Sequence, residues 1–218
     1  MSYQMIHLQV AYSLLSSLPD VKNQSDFLLG SVAPDAVHMD EDFTTEAKIH
    51  SHLFEGCGEW ADTKYPDKWK ENILSFWNRY RDSGSVIRDF ALGYTVHCLT
   101  DRCNDQNIWV PLRDENQDCS DYAAFRERFQ YEARHIDIWL EQTSRDRDAI
   151  RELFAAGRAY DLEDYIKAGS LEKQRYHLLY EQYDCDKVDA DDFVYVTKEK
   201  IENFLKTTVE EIIREIKL

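Results

Sequence analysis

Apolar residues recur at helical spacing along most of the chain, and the pattern is already present at its start. A helix is predicted from residue 3 to residue 18, where Pro19 interrupts the periodicity. A shorter helix is expected to open at Ser25, which is a suitable N-cap residue. Because the residue before a proline disfavours the helical conformation, Pro34 is expected to end this segment, with Asp35 at the start of a loop.

The middle of the chain contains the strongest helical patterns. A helix is expected from residue 45 to residue 60, followed by one that begins at Pro66, carries an aromatic stripe and ends at residues 83–84. The helix predicted from about residue 85 to residue 101 has apolar residues around its whole circumference, which is typical of a helix that is buried on all sides. We therefore expect this helix at the centre of the fold.

Beyond the central helix, the pattern predicts a polar connection over residues 102–118 and then a long helix that Ser120 caps and that runs to about residue 142. Thr197 is expected to cap the last helix, which carries an apolar stripe. Three shorter helices are expected in between, at residues 146–156, 162–167 and 171–183. The whole pattern predicts an all-α fold, a multi-helix bundle that forms a single domain over residues 1–218.

Composition supports a helical protein and narrows its partners. Only 7 Gly and 4 Pro occur in 218 residues, so the residues that punctuate β-turns are scarce. The formal net charge of −16 repels phosphate backbones and anionic membrane surfaces. We therefore expect neither a large nucleic acid partner nor a stable membrane association.

Cysteine usage and the N-terminal sequence predict the compartment. The five cysteines are an odd number without a Cys-x-x-Cys pair, which argues against both a disulfide framework and a thiolate zinc site. The N-terminus lacks a basic segment followed by an apolar one, and no later stretch has the apolar length of a membrane span. We therefore expect reduced thiols and a cytoplasmic protein.

Two residues on the central helix have the chemistry of a metal site. His97 and Asp101 are four residues apart and therefore project from the same face of the helix. Burying an imidazole and a carboxylate is costly unless both find a partner, and a divalent cation satisfies both together. The alternative is a His–Asp hydrogen bond that only stabilises the core.

Further residues near the N-terminus strengthen the metal hypothesis. They are His7 on the first helix, Asp35 and His38 in one loop, and His50 and His52 on the next segment. His38 is kept as an additional candidate ligand, the alternative being a hydrogen bond that stabilises the loop. His50 is expected at the surface, because two residues along a helix correspond to a rotation of about 200°. Imidazole and carboxylate ligands suit zinc, manganese or iron better than copper(I).

Four segments, in this order along the chain, resemble the zinc-dependent phospholipase C family, relatives of secreted bacterial phospholipases C and fungal single-strand nucleases. They are a histidine in the first helix (His7), Gly-Ser-Val-Ala-Pro-Asp at residues 30–35, Lys-Ile-His-Ser-His-Leu at residues 48–53, and Leu-Gly-Tyr-Thr-Val-His-Cys-Leu-Thr-Asp at residues 92–101. The resemblance implies a phospholipase C/nuclease-like helical fold whose metal-site part spans about residues 1–105. Residues 118–218 share only helical content.

The resemblance also implies a role for each matching residue. The ligands of one metal ion correspond to Asp35, His52, His97 and Asp101. Asp101 would bridge to a second ion that His7 also holds. Asp35 would in addition act as the base that orients the attacking water.

Two departures from the secreted members reduce the number of ions that we expect. Those members have a further histidine shortly after the His-x-x-x-Asp pair and then a His-x-x-x-Glu motif. Here residues 104–109 contain no histidine, and His135 is followed four residues later by Trp139. We therefore expect one or two divalent ions, zinc in the first place, with manganese or iron as alternatives.

The resemblance implies a hydrolase that cleaves a small phosphoester with a metal-activated water. The alternative is a non-catalytic helical domain of the same fold that binds a metal ion, or only buries the polar cluster, for stability. An open coordination position that faces an accessible cleft distinguishes a catalytic metal from a structural one. A ferritin-like di-iron bundle is the weaker alternative, because it requires two Glu-x-x-His motifs and only Glu132 to His135 fits.

Overall fold

The computed structural model describes residues 3–82, 84, 86–118 and 120–216. Within them the protein consists of α-helices and one small hairpin, so the predicted all-α class is confirmed. The helices are α1 (Gln4–Leu14), α2 (Gln24–Gly30), α3 (Thr45–Ser51), α4 (Pro66–Tyr80), α5 (Arg88–Asn104), α6 (Val110–Asn116), α7 (Tyr122–Thr143), α8 (Arg147–Ala156), α9 (Ala168–Tyr180) and α10 (Lys198–Ile216). The strands β1 (Gly58–Glu59) and β2 (Asp62–Thr63) pair antiparallel.

The start of the chain differs from the prediction at two points. The N-cap of α2 is Asn23 and not Ser25, since the Asn23 side chain accepts a hydrogen bond of 3.1 Å from the backbone N–H three residues later. Ala33–Met39 forms a 3-10 helix where a loop was expected. Proline has no backbone N–H and fits the first turn of a helix, so Pro34 lies in the first turn of this element instead of ending helical structure.

The helix α5 lies at the centre of the fold, as predicted. Every residue from Asp89 to Asn104 is buried, and α5 packs against α1, α2, α4 and α10. The prediction of a polar connection after it is wrong, because Asp105–Trp109 continues the helix as a π-helix and α6 follows directly. Ile108 and Leu112 are buried, so this segment makes the apolar contacts that an exposed connection lacks.

The helical segment around α3 is shorter than predicted. α3 ends at Ser51 and not at residue 60, because Leu53 and Gly56 have φ angles of 57° and 74°, outside the right-handed helical region. The hairpin β1–β2 then occupies the remainder of this stretch. The boundaries predicted at residues 83 and 85 lie outside the described residues.

The C-terminal half follows the predicted order of helices with two corrections. Asp121, and not Ser120, caps α7 by accepting a hydrogen bond of 3.1 Å from the backbone N–H three residues later. The helix expected at residues 162–167 is replaced by a turn that an isolated β-bridge closes. Thr197 lies at the start of α10 as predicted, and its side chain accepts a hydrogen bond of 3.2 Å from the backbone N–H three residues later.

Two glycines let α2 and α5 cross at a very short distance. A Cβ atom on Gly30 would lie 2.1 Å from the backbone oxygen of Phe90, and a Cβ atom on Gly93 would lie 2.0 Å from the backbone oxygen of Phe27. Only residues without a Cβ fit at this crossing. It brings the C-terminal end of α2 against the middle of α5, where the functional site begins.

The buried apolar side chains form one cluster, to which helices from both halves of the chain contribute. The central members come from α1, α2 and α5, and residues of α7 and α10 pack around them. The division of the chain into a single domain stays a prediction. Among the helices that the structure describes, none combines the length and the apolar character that a bilayer span requires.

Candidate metal centre

The five side chains that the sequence predicts as metal ligands converge at one place. They come from four separate parts of the fold: α1, the 3-10 helix, the residue after α3, and α5. All are buried, and the set is His7, Asp35, His52, His97 and Asp101. Their ligand atoms form two groups within 4.8 Å, one of His7, His97 and Asp101 and one of Asp35, His52 and His97. His97 belongs to both groups.

Two imidazole nitrogens and two carboxylates point to a common position. The Nε2 atoms of His52 and His97 are 3.3 Å apart. Nε2 of His52 also lies 3.2 Å from Oδ1 of Asp35 and 3.5 Å from Oδ2 of Asp101. Nε2 of His97 lies 3.8 Å from Oδ2 of each of these two carboxylates. The distances leave room for an ion among the four groups.

Backbone carbonyls determine the orientation of both rings. Nδ1–H of His97 donates to the carbonyl oxygen of Ser31 at 2.9 Å, and Nδ1–H of His52 donates to that of Lys48 at 3.0 Å. A carbonyl only accepts, so Nδ1 carries a proton in each ring, and in the neutral form of the ring Nε2 presents a lone pair. Two lone pairs that face each other repel until a proton or a cation lies between them. Imidazoles oriented in this way are typical of metal ligands.

His7 provides a second, independent sign that the site suits a cation. Its ring stacks on that of His97, with centroids 3.7 Å apart and planes at 11°. Its Nε2 lies 3.4 Å from Oδ1 of Asp101. The ring is fully buried, and neither nitrogen has a hydrogen-bond partner among the described residues. A buried ring nitrogen without a partner costs free energy, and coordination of an ion would offset that cost. The donor set therefore fits a divalent metal.

The pKa shifts of Asp35, Asp101 and His97 have the direction that metal binding favours. Burial by itself raises the pKa of Asp35, but the charge of Lys48 and the neighbouring histidines outweigh it and hold that pKa well below its usual range. For Asp101, His7 and His97 outweigh burial in the same way and lower the pKa. Burial lowers the pKa of His97. The carboxylates are therefore ionised and His97 is neutral, as ligands must be.

Two polar side chains that the sequence prediction missed contact Asp35. Nζ of Lys48 lies 3.2 Å from its Oδ1, and Nε2 of Gln4 donates to its Oδ2 at 2.6 Å. The signal for Lys48 was its position four residues before His52, on the same helix face. His38, the additional candidate ligand, has its Nε2 2.7 Å from Nζ of Lys48. It belongs to neither ligand group.

The ligand cluster borders a cavity of about 340 Å³. Asp35, Asp101 and Lys48 line it. Six aromatic residues contribute to its walls: Tyr3, Phe54, Trp60, Trp69, Trp109 and Phe129. Arg126 and Gln130, which are exposed on α7, line its open end. The cluster therefore faces a cleft that a small molecule is able to enter.

Asp105 is a further carboxylate of this cavity that the sequence prediction missed. It is buried in the π-helix, four residues after Asp101. Burial raises the pKa of Asp105, and the charge of Asp101 adds to the effect. The spacing of four residues is a signal for it, but the polar residues of this segment predict a polar connection.

The remaining histidines of the chain lie outside the cluster. His50 is half-exposed and pairs with Glu55. His177 lies at the surface, where it pairs with Glu181, the residue that follows α9. In the Glu-x-x-His motif of α7, the carboxylate of Glu132 accepts from the backbone N–H groups of residues 194–196, while His135 bonds to a backbone carbonyl. This motif therefore serves packing and not a di-iron site.

Residues 6–103 match the family model described as zinc dependent phospholipase C, so this segment of the chain is similar to that family. The matched segment includes every residue of the two ligand groups. No curated protein and no solved structure matches the chain significantly. The match to this family model and the His/Asp groups together suggest a metal-dependent phosphoester hydrolase, and both fit zinc.

Proposed function

We propose that this protein hydrolyses a small phosphoester in the aromatic cavity, with one or two divalent ions held by the ligand cluster. The observation that carries the proposal is the pair of Nε2 lone pairs on His52 and His97, 3.3 Å apart and held by backbone carbonyls. Zinc is the ion that we expect, because imidazole and carboxylate ligands suit it, and manganese and iron are the alternatives.

In the proposed site, Asp35, His52 and His97 bind the first ion, together with Asp101. Oδ2 of Asp101 lies 3.5 Å from Nε2 of His52, and Oδ1 lies 3.4 Å from Nε2 of His7. Asp101 and His7 would therefore hold a second ion. The carbonyl oxygens of residues 31 and 48 keep the imidazole rings in position.

A bound divalent ion supplies a water of lowered pKa and stabilises the negative charge that develops on the phosphoryl oxygens. Asp35 is ionised and lines the cavity, so it is suited to accept a hydrogen bond from the attacking water and to orient it toward phosphorus. The aromatic walls reduce the access of bulk water and so strengthen the attraction between charged groups in the cavity.

The open side of the cluster favours a catalytic ion over a purely structural one. Asp35 and Asp101 both line the cavity. A structural zinc site is closed by four protein ligands, whereas a catalytic ion keeps a position for water or substrate. The exposure of these two carboxylates to the cavity is therefore the observation that disfavours the non-catalytic alternative.

The size of the cavity and the charge of the chain limit the substrate. A volume of about 340 Å³ suits a small molecule. The net charge of −16 disfavours large nucleic acids and anionic bilayers as partners. We propose a small phosphoester in the cytoplasm as the substrate, without a stable membrane association.

Metal analysis tests the first half of the proposal. The wild type, purified without added metal and then equilibrated with zinc, is expected to retain one or two ions per chain, because the cluster needs a cation between its lone pairs. His97→Ala is expected to lose them, since His97 belongs to both ligand groups. His177→Ala, at the surface, is the matched control and should equal the wild type. A wild type without metal, or a His97→Ala variant with the same metal content, contradicts the proposal.

A panel of phosphomonoesters and phosphodiesters, assayed with zinc and with manganese, tests the second half. We expect at least one of them to be hydrolysed by the wild type and by His177→Ala, with activity lost in His97→Ala. Turnover by the wild type that never exceeds that of His97→Ala would favour the non-catalytic alternative.

A further inference from the structure

Lys48 contributes a buried positive charge to the cavity. Its side chain is 10% exposed, yet it lines the cavity beside the ligand cluster. Nζ lies 3.2 Å from Oδ1 of Asp35, 2.7 Å from Nε2 of His38, and 5.1 Å from the ring centroid of Trp60. A charge in this position is costly unless each of its donors finds an acceptor.

The acceptors that surround this ammonium group do not use all of its donors. A lysine ammonium carries three N–H donors. Among the described residues, Asp35 and His38 each accept a hydrogen bond from Lys48. One N–H therefore remains for a ligand in the cavity.

Metal binding would increase the need for an anion at this point. Asp35 is both the carboxylate that neutralises Lys48 and a member of a ligand group. An ion that shares this carboxylate leaves the ammonium group less compensated, next to a second positive charge. Phosphoryl oxygens are strong acceptors that carry negative charge, and they complement such a surface.

From these contacts we infer that Lys48 forms a phosphate-binding subsite beside the metal cluster and donates a hydrogen bond to a phosphoryl oxygen of the ligand. The inference rests on the proposed function and extends it to the part of the substrate that the ions do not hold. Lys48 is a substrate-binding residue in this account and is not a metal ligand.

The side chain of Lys48 is separable from its backbone by mutation. The carbonyl oxygen that orients His52 belongs to the main chain and persists in every variant. Lys48→Met removes the charge and keeps an unbranched apolar stem beside Trp60, whereas Lys48→Arg keeps the charge. Lys64→Met is the matched control, because it removes the same charge from a side chain that is 59% exposed and does not line the cavity.

Zinc content and binding of inorganic phosphate are then measured by mass spectrometry and calorimetry on zinc-loaded protein after excess zinc has been removed. We expect Lys48→Met to retain the zinc content of the wild type and to bind phosphate roughly 10- to 100-fold more weakly, the usual effect of losing a charged hydrogen bond. Lys48→Arg should recover part of the affinity. Lys64→Met should behave as the wild type.

Each other outcome has a distinct meaning. Equal phosphate affinity in Lys48→Met and the wild type overturns the subsite, as does a zinc-loaded wild type that binds no phosphate. Loss of zinc in Lys48→Met also overturns it, because Lys48 would then act only by holding Asp35. A wild type that takes up no zinc contradicts the proposed function itself and the subsite with it.

Discussion

Among the buried carboxylates that the structure describes, those on α7 and those in the ligand cluster have different partners. On α7, the carboxylate of Glu132 accepts from the backbone N–H groups of residues 194–196 and from Arg128. Asp137 accepts from the N–H of Ile6 at 3.0 Å and from the hydroxyl of Tyr183 at 2.9 Å. Every one of these carboxylate oxygens faces a donor of the chain.

The ligand cluster contains buried imidazoles in addition to its carboxylates. Around His52 and His97, lone pairs of two imidazoles face each other beside two carboxylates, and the buried ring of His7 has no hydrogen-bond partner among the described residues. Carboxylates of both regions are buried, and Asp35 in the cluster also accepts hydrogen bonds, from Lys48 and Gln4. The two regions therefore differ in the buried imidazoles of the cluster, whose Nε2 atoms face each other beside the carboxylates.

Removal of the metal ion is expected to have the largest effect on stability. An ion present at about 1,000 times its dissociation constant stabilises the folded chain by about 4 kcal/mol. Chemical denaturation of the zinc-loaded wild type should therefore reveal a loss of this order when EDTA is added. His97→Ala should unfold at the same denaturant concentration with and without EDTA. Identical wild-type curves in both conditions would remove the distinction between the two regions.

Glu132→Ala is expected to act on stability alone. The substitution leaves three backbone N–H groups of residues 194–196 without their acceptor, which costs about 3 kcal/mol. The zinc content should equal that of the wild type. Glu127→Ala, an exposed position on the same helix, is the control and should change the free energy of unfolding by less than about 0.5 kcal/mol. Loss of zinc in Glu132→Ala would show that the two regions are not independent.

Asp137 should make stability depend on pH in a direction opposite to most carboxyl groups. Burial raises its pKa to about 7, far above the ordinary value of about 3.9 for an aspartate. The folded state therefore keeps a proton that the unfolded state has lost between these values, and the associated stability disappears as the pH rises through 7. Asp137→Asn cannot titrate.

The comparison with Asp137→Asn is made in the metal-free proteins. Between about pH 5 and pH 7, the free energy of unfolding of the variant should rise relative to the wild type by roughly 2 kcal/mol. A difference in the free energy of unfolding that stays constant over this pH range would mean that Asp137 is ionised throughout it. The hydrogen bonds from Ile6 and Tyr183 favour that ionised form.

The ligands were easier to predict than their surroundings. His97 and Asp101 stand out because they interrupt an apolar helix at a spacing of four residues, and local sequence is sufficient to recognise that. Lys48 and Asp105 have the same spacing from His52 and Asp101, but a charged residue on a helix is usually solvated. Only the packing of the 3-10 helix and the π-helix around the cavity distinguishes them from surface residues.

The helical fold followed from apolar periodicity, and the errors lie where polar residues are buried. The segment after α5 was predicted as a connection because of its polar residues. Arg102, however, is buried and pairs with Glu211 and Glu215 of α10, each at 3.3 Å. Such pairs join residues more than one hundred positions apart, so a pattern within a short window does not reveal them.

The binding of a zinc ion between His52 and His97 is tested by anomalous diffraction at the zinc absorption edge, from crystals of the zinc-loaded wild type. A peak about 2.0–2.1 Å from the Nε2 atoms of both His52 and His97 is the predicted result. A map without a peak there, in which these two nitrogens instead share a proton or bind a water, would contradict the account.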